Sequence, residues 1–502
     1  MNSSEQNPSS VFDVIVVGAG GSGLASALEA AQHGLRVLII EKAPQPGGAT
    51  AWSVGAFTTS SSPHQKKAGV VDSCDQHFAD MDLVNANAKR ADNMQLRRLL
   101  VDKAPDTLQW LMDLGVEFMG PHAESPHTKP RMHNAVPGGV AMVYYLVKHC
   151  KKAGVQIACN TKLHDLLFED GQVCGVQVLN SDQHIQKIYA KRAVILASGD
   201  FSGSREMRER FFDPAVVNAA PVVSINTGDG LLVAEKYGAQ IINGDYAAFY
   251  IPRMRFVPQE NAGWLSRLPP TKMIAQLMQW AIKHLPPAII RPFMMKMVTT
   301  VLGPEPALFK AGAALINVAG TLIDVDFKSP ARHLALDQHN KGYIVFDQKL
   351  AQQFQAWPHF ISTAPGIAYA YLKDYEHSRP DIFHRADTID QLAKTIDIDL
   401  TQLQNTLRQH NQKNPACGSI EQGPFYALGP VRGYITITEG GLNVNEQLQV
   451  IGKNQKPIPH LYACGSAGQG GVLLDGHGHH LSWAFVSGRH AAQQVLQETA
   501  VY

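Results

Sequence analysis

The sequence predicts an α/β fold: a discontinuous, Rossmann-like dinucleotide-binding domain with an α+β domain inserted into it. Three observations point there. An apolar strand, a glycine-rich turn, a helix and a second strand ending in an acid occupy 13–41. A second glycine-rich loop lies between a strand and a helix near the C-terminus, at 461–491. Between the two, from about Asp245 to Gly423, the texture shifts to aromatic, proline, methionine and basic residues. The expected division gives 1–245 and 424–502 to the nucleotide domain and 246–423 to a substrate or capping domain.

The elements follow in order. Val14 to Val17 form an apolar run short enough for a buried parallel strand. Gly18, Gly20 and Gly23 carry the G-x-G-x-x-G spacing: a tight turn, close approach of a pyrophosphate, and close helix–strand packing. A helix over 23–33 aims its N–H groups and dipole at that phosphate. Gly34 ends it, a strand follows over 36–40, and the Glu41 carboxylate stands where it can hold ribose hydroxyls. Small residues at 46–53 let a ligand approach the backbone. The spacing then predicts a loop at 60–71, a helix over 92–114, an irregular connection over 120–139 and a helix over 139–153. Strands are expected at 155–158, 163–169, 173–179 and 193–197, with Asp170 and Gly171 as a hairpin turn. A helix is expected over 231–237, and a helical region over 381–411. Segments 273–284 and 288–301 read as two amphipathic helices broken by Pro286 and Pro287, too short for the ~18 apolar residues of a membrane span. Two readings of them stay open: core-facing helices, or a lid or peripheral membrane-surface patch.

Composition excludes several classes. Lys+Arg 44 against Asp+Glu 43 gives no overall basic field for nucleic acid. The 6 cysteines have no metal or redox spacing, which suits free thiols in a reducing compartment. The segment 1–10 is polar, without a basic flank or apolar stretch, so it does not read as a signal peptide. A cytoplasmic protein, with membrane contact left open through 273–301, is the expectation.

The glycine loop at 461–491 runs from a strand into a helix starting near His479, and a second helix N-terminus can face an electron-rich atom. With the N-terminal fingerprint, it resembles the flavoprotein superfamily of fumarate reductases and 3-ketosteroid dehydrogenases. The resemblance covers 18–57, 139–199, 228–238 and 461–491, and is thinnest over 246–423. It implies FAD. Gly18, Ala19, Gly20, Ser22 and Gly23 would cradle the pyrophosphate, and Glu41 and Lys42 would hold the adenosine ribose. Gly48, Ala49, Thr50 and Ser53 would line the ribityl chain and flavin edge, and Leu163 would meet the adenine. Ala197, Ser198, Gly199 and Asp229 would approach from the second half, and Gly465, Leu481 and Ser482 would sit by the ribityl chain and ring. No histidine lies in 47–53, where some relatives attach the cofactor covalently, so non-covalent FAD is expected.

The resemblance also implies hydride transfer between the flavin and a carbon β to a carbonyl or carboxylate, with a proton moving at the α carbon. The C-terminal loop is closest to the 3-ketosteroid Δ1-dehydrogenase branch: Gly478 matches the glycine whose N–H receives the keto oxygen, and the reductases' loop arginine is missing. Tyr250 stands where the reductases have a substrate histidine, and Leu474 replaces the ketosteroid enzymes' partner tyrosine. The base is open among Tyr250, Tyr246, His477 and His479. Arg332 fits the reductases' proton-delivering arginine if two residues are inserted before it. His477, His479 and His480 lack the further ligands a metal motif supplies, so no metal is expected. Arg131, Met132 and His133 could face the substrate or simply pack a loop. The expected activity is FAD-dependent α,β-desaturation of a hydrophobic cyclic ketone, such as a 3-ketosteroid or oxocyclohexane compound, with an unidentified electron acceptor. The alternatives are a reductase of an unsaturated carboxylic acid, and a flavin-bearing relay without substrate chemistry.

Overall fold

The computed structural model describes residues 11–246, 252–258, 269–326, 328–364, 368–413 and 419–498. Its first sheet has eight strands in the order Gln449–Ile451, Pro457–Ala463, Ile185–Leu196, Val11–Val17, Val37–Ile40 and Gln156–Ala158, with Gln172–Leu179 and Lys162–Glu169 branching from Ile185–Leu196. Every pairing from Pro457–Ala463 across to Gln156–Ala158 is parallel. Such strands are covered on both faces, which explains their nearly unbroken apolar sequences. The branch is an antiparallel hairpin whose turn residues, Asp170 and Gly171, both take positive φ, 48° and 78°.

The helix Gly21–Gln32 buries Gly21 through Ala30 without a break. Its small residues allow this, because the helix His479–Val495 crosses it at close range: a Cβ on Gly488 would stand 2.4 Å from the Ser22 carbonyl oxygen. Helices from the first and last parts of the described chain therefore meet directly behind the glycine loop.

A second sheet of six strands is organised on Phe425–Ile435, which pairs antiparallel with Arg253–Phe256, Gly342–Phe346 and Phe383–Ala386. Its core is separate from that of the first sheet, running from Met254 to Val431. The expected division grouped 424–502 with the nucleotide domain. Since Phe425–Ile435 is the central strand of the second sheet, we place the return crossing after it, near Thr436.

Two regions depart from the local pattern. The connection expected to be irregular over 120–139 contributes Phe118–His122 and Met132–Ala135 to a three-stranded sheet with Ala56–Thr58. These strands are three to five residues long, and their pairing is decided by a partner far away in sequence. The loop expected at 60–71 contains the short helix Pro63–Lys67, capped by Ser62. Within 381–411, the strand Phe383–Ala386 precedes the helices Ile389–Thr395 and Leu400–Lys413, because Phe425–Ile435 offers it a ladder. No helix among the described residues is long and apolar enough to cross a membrane.

Candidate active site and cofactor cleft

The three fingerprint glycines have three different surroundings. A Cβ on Gly18, at φ +107°, would lie 2.5 Å from the Ala197 carbonyl oxygen, and one on Gly23 would lie 1.9 Å from that of Gly18. Both are packing glycines. A Cβ on Gly20 would meet nothing within 4 Å. Gly20 caps the helix Gly21–Gln32 with no side-chain partner; the Gly21 N–H donates to Thr50 Oγ1 (3.1 Å), and open space lies beside Gly20 at the start of that helix.

That space is a cleft of about 780 Å³, counting its open mouth. Its floor includes Gly18, Gly20 and Ser22; one wall is Gly48, Ala49 and Thr50, and the other is Ala197, Ser198 and Gly199. Glu41, Lys42, Leu163 and Asp229 line the far end. Ala19, Gly23, Ser53, Gly465, Leu481 and Ser482 are not among the residues that line it. Ser53 Oγ donates to the Thr50 carbonyl (2.8 Å), and Gly465 N–H donates to Ser487 Oγ (2.8 Å). Ser466 also lines the cleft, as do Gly21, Thr161, Asn226 and Ala484, which were missed by sequence reasoning. For Asn226 the glycine-rich stretch following it was the available signal.

The polar groups fit a dinucleotide. Glu41 is buried, and its carboxylate accepts from the N–H groups of Ala19 (2.7 Å) and Ala43 (2.8 Å), which fixes it at the strand tip. Lys42 Nζ donates to Thr227 Oγ1 and Asp229 Oδ2, both at 2.6 Å. Burial alone would raise the Asp229 carboxyl, but Lys42 and Lys162 hold it below the ordinary value. Ser198 Oγ is buried in the cleft wall with no partner among the described residues, as expected of a group awaiting a ligand.

Beyond the cleft, the helix His479–Val495 starts at Gly478, which sits at φ +85°. No acceptor for the Gly478 N–H is found among the described residues. A Cβ on Gly478 would stand 2.6 Å from Thr58 Oγ1. Thr58 Oγ1 donates to the His477 carbonyl (2.6 Å), and Ser482 Oγ donates to the carbonyls of Thr58 (2.8 Å) and Gly478 (2.9 Å). The three-stranded sheet thereby clamps the loop.

The neighbouring histidines diverge. The half-exposed His477 donates its N–H to Glu124 Oε1 (3.1 Å), and partial burial, then Arg253, hold its imidazole below the ordinary value. Burial pushes His480 down to about 4, so its Nε2, 3.2 Å from Glu439 Oε1, makes a neutral contact rather than an ion pair. His479 is fully buried, with Nε2 3.1 Å from His77 Nε2 and the His127 ring edge-on; burial, then His127 and His77, depress its pKa strongly. Arg131 is buried between Asp72 and Asp80, and His133 is buried against Ser62, so that segment takes the packing alternative. Arg332, on Pro330–Leu336, pairs with Asp213 at 3.0 Å. Tyr250 lies outside the described residues. Tyr246 is buried and donates to Asp475 Oδ2 (2.7 Å).

Glu124 was missed by sequence reasoning. Burial pushes its carboxyl up to about 7 against the pull of the His477 N–H, and its Oε2 is buried with no partner among the described residues. A single acid inside a Pro- and His-rich connection carries no motif.

Fold and cleft together define a Rossmann-like dinucleotide-binding protein. The chain belongs to the FAD binding domain family, whose model matches residues 13–264 and 329–474. It is an FAD-binding oxidoreductase. A vinyl phenol reductase from Lactiplantibacillus plantarum is 28% identical over 527 aligned residues, covering 98% of each chain. A 3-oxosteroid 1-dehydrogenase from Mycolicibacterium smegmatis is 22% identical, covering 91% of each. The chain spans 44% of the length of an NADH:fumarate oxidoreductase from Klebsiella pneumoniae, to which it is 25% identical. The open conformation of a flavocytochrome c3 fumarate reductase superposes with a TM-score of 0.71 at 22% identity, covering 98% of this chain and 80% of that one, which places the two in one fold.

Proposed function

We propose that the protein exchanges a hydride across a CH–CH bond of an uncharged, ring-bearing substrate, with desaturation of a hydrophobic cyclic ketone as its leading reaction. The observation carrying this is the start of the helix His479–Val495. Its cap, Gly478, has an N–H without an acceptor among the described residues, and the imidazoles of His477 and His480 beside it are held neutral. A substrate oxygen gaining negative charge is stabilised there by a fixed N–H and the positive end of the helix dipole. A carboxylate clamp needs fixed cations, and the loop has none.

Bound FAD supplies the hydride acceptor. Gly478 receives the activating oxygen, and Glu124 takes the α proton on its partnerless Oε2. A carboxyl raised to about 7 is matched to proton transfer near neutrality. Thr58 and Ser482 hold the Gly478 peptide in place.

A second reading, reduction of an unsaturated substrate, is favoured by two observations. One is the full-length likeness to a protein named vinyl phenol reductase. The other is Arg253 and Arg255 on one face of Arg253–Phe256, with Arg255 Nη2 donating to Thr436 Oγ1 (3.3 Å). Anaerobic titration separates the two. Bleaching of the oxidised flavin band by cyclic ketones or ketosteroids supports the first. Reoxidation of the reduced enzyme only by vinyl phenols or unsaturated acids replaces it with the second. Gly478→Ala drives a Cβ against Thr58, so turnover should fall about tenfold or more with FAD content retained. Unchanged turnover would remove Gly478 from the reaction.

A further inference from the structure

We infer that the helical hairpin of Lys272–His284 and Pro287–Val301 seats the protein on an anionic lipid surface. An amphipathic helix on a globular protein turns its apolar face toward the core. Lys272–His284 is mounted the other way round. Met273, Leu277 and Trp280, spaced to share one face, are 75%, 62% and 52% exposed. Met278 and Ile282 are exposed as well. Ala275 is the helix's one buried residue. Beside Ala275, polar contacts tie it to the body: the Lys272 N–H donates to the Tyr145 hydroxyl (2.6 Å), and Gln276 Nε2 donates to Glu117 Oε1 (3.2 Å).

The second helix fastens the hairpin down. Met295 and Thr299 are buried, and Arg291 binds Asp374 (2.5 Å) and the Tyr369 carbonyl (2.9 Å). The Tyr369 ring packs against Trp357, itself 64% exposed, so a second tryptophan stands beside the hairpin. Ile289, on the second helix, is exposed as well.

Charge selects the occupant. Residues 272–301 include Lys272, Lys283, Arg291 and Lys296 and no aspartate or glutamate. Lys283 and Lys296 have no carboxylate partner among the described residues, whereas Lys272 pairs with Glu117 and Arg291 with Asp374. Exposed aliphatic side chains, an indole and cations on one short hairpin match the boundary between headgroups and acyl chains of an anionic leaflet. A second copy of the chain is a poorer match, since a two-fold interface on this patch sets like charges against each other. The hairpin lies on the surface without crossing it.

The test is co-sedimentation of the FAD-loaded protein with vesicles of phosphatidylcholine and phosphatidylglycerol. The wild type should pellet with the vesicles, less so as salt is raised. Leu277→Glu with Trp280→Glu should lower binding about tenfold or more while FAD content is unchanged. If that variant loses FAD, Lys283→Glu with Lys296→Glu carries the test through the charge component alone. Wild-type protein that stays in the supernatant overturns the inference. So does binding that both variants retain, or a wild-type dimer that the apolar variant dissociates in the absence of vesicle binding.

Discussion

Glu124 is the residue where burial and chemistry conflict most openly. Its carboxyl, raised to about 7, binds a proton in the folded chain that an unfolded glutamate near 4.5 gives up. Folding therefore takes up a proton, and stability falls as pH rises from about 4.5 through about 7. Glu124→Gln removes that dependence. At pH 8.5 the variant should be more stable than wild type by up to about 3 kcal/mol, and at pH 4 the two should converge, as read by urea unfolding at both values. In the desaturation direction, wild-type turnover should rise through pH 7 as the carboxylate forms. The variant should lose about 10²-fold or more and show no such rise. A pH profile that keeps its inflection in Glu124→Gln would assign the proton elsewhere.

Among the elements, the turn between Val11–Val17 and Gly21–Gln32 separates two functions that one motif merges. Gly18 and Gly23 serve the packing of strand on helix, and Gly20 borders open space. Gly23→Ala should destabilise the apoprotein, since its Cβ would lie 1.9 Å from a backbone oxygen. Gly20→Ala should leave the apoprotein's melting temperature unchanged and still weaken FAD, as measured by flavin fluorescence titration, because its Cβ fills only the space the phosphates need. Equal apoprotein destabilisation by both would contradict this division. The helix start at His479 shows a second partition. The histidines at 477, 479 and 480 reach Glu124, His77 and Glu439 respectively: His477 precedes the helix, and adjacent helical positions 479 and 480 face different sides.

At the scale of the whole molecule, the proposed substrate region lies where the chain leaves the first sheet and later returns to it. Tyr246, at the departure, donates to Asp475 in the Gly478 loop, and the Arg90 guanidinium lies 5.0 Å from the Tyr246 ring centroid while pairing with Asp245 at 2.8 Å. Burial raises the Asp475 carboxyl, and the Tyr246 hydroxyl opposes that. Tyr246→Phe should leave Asp475 buried without this donor and cost about 1–3 kcal/mol in urea unfolding of the FAD-loaded protein. A cost below the error of the measurement would show that the tie is dispensable.

By itself, the sequence determined the features that rest on local regularity. The 13–41 fingerprint predicted strand, turn and helix with ends within three residues of those found, because glycine spacing and apolar period are properties of neighbouring residues. The same holds for the Asp170–Gly171 hairpin and for the helix from His479. The family and its FAD followed from the two glycine loops and agree with the family match. Only the tertiary structure decided what depends on distant partners. It showed that Phe118–His122 and Met132–Ala135 are strands on Ala56–Thr58, that Phe425–Ile435 belongs to the second sheet, that His479 is buried against His77, and that the apolar face of Lys272–His284 looks outward. It also raised Glu124 from an unremarked acid to a buried carboxyl whose Oε2 has no partner among the described residues. Burial, pairing and desolvation are set by residues far apart in the chain, and no local pattern contains them.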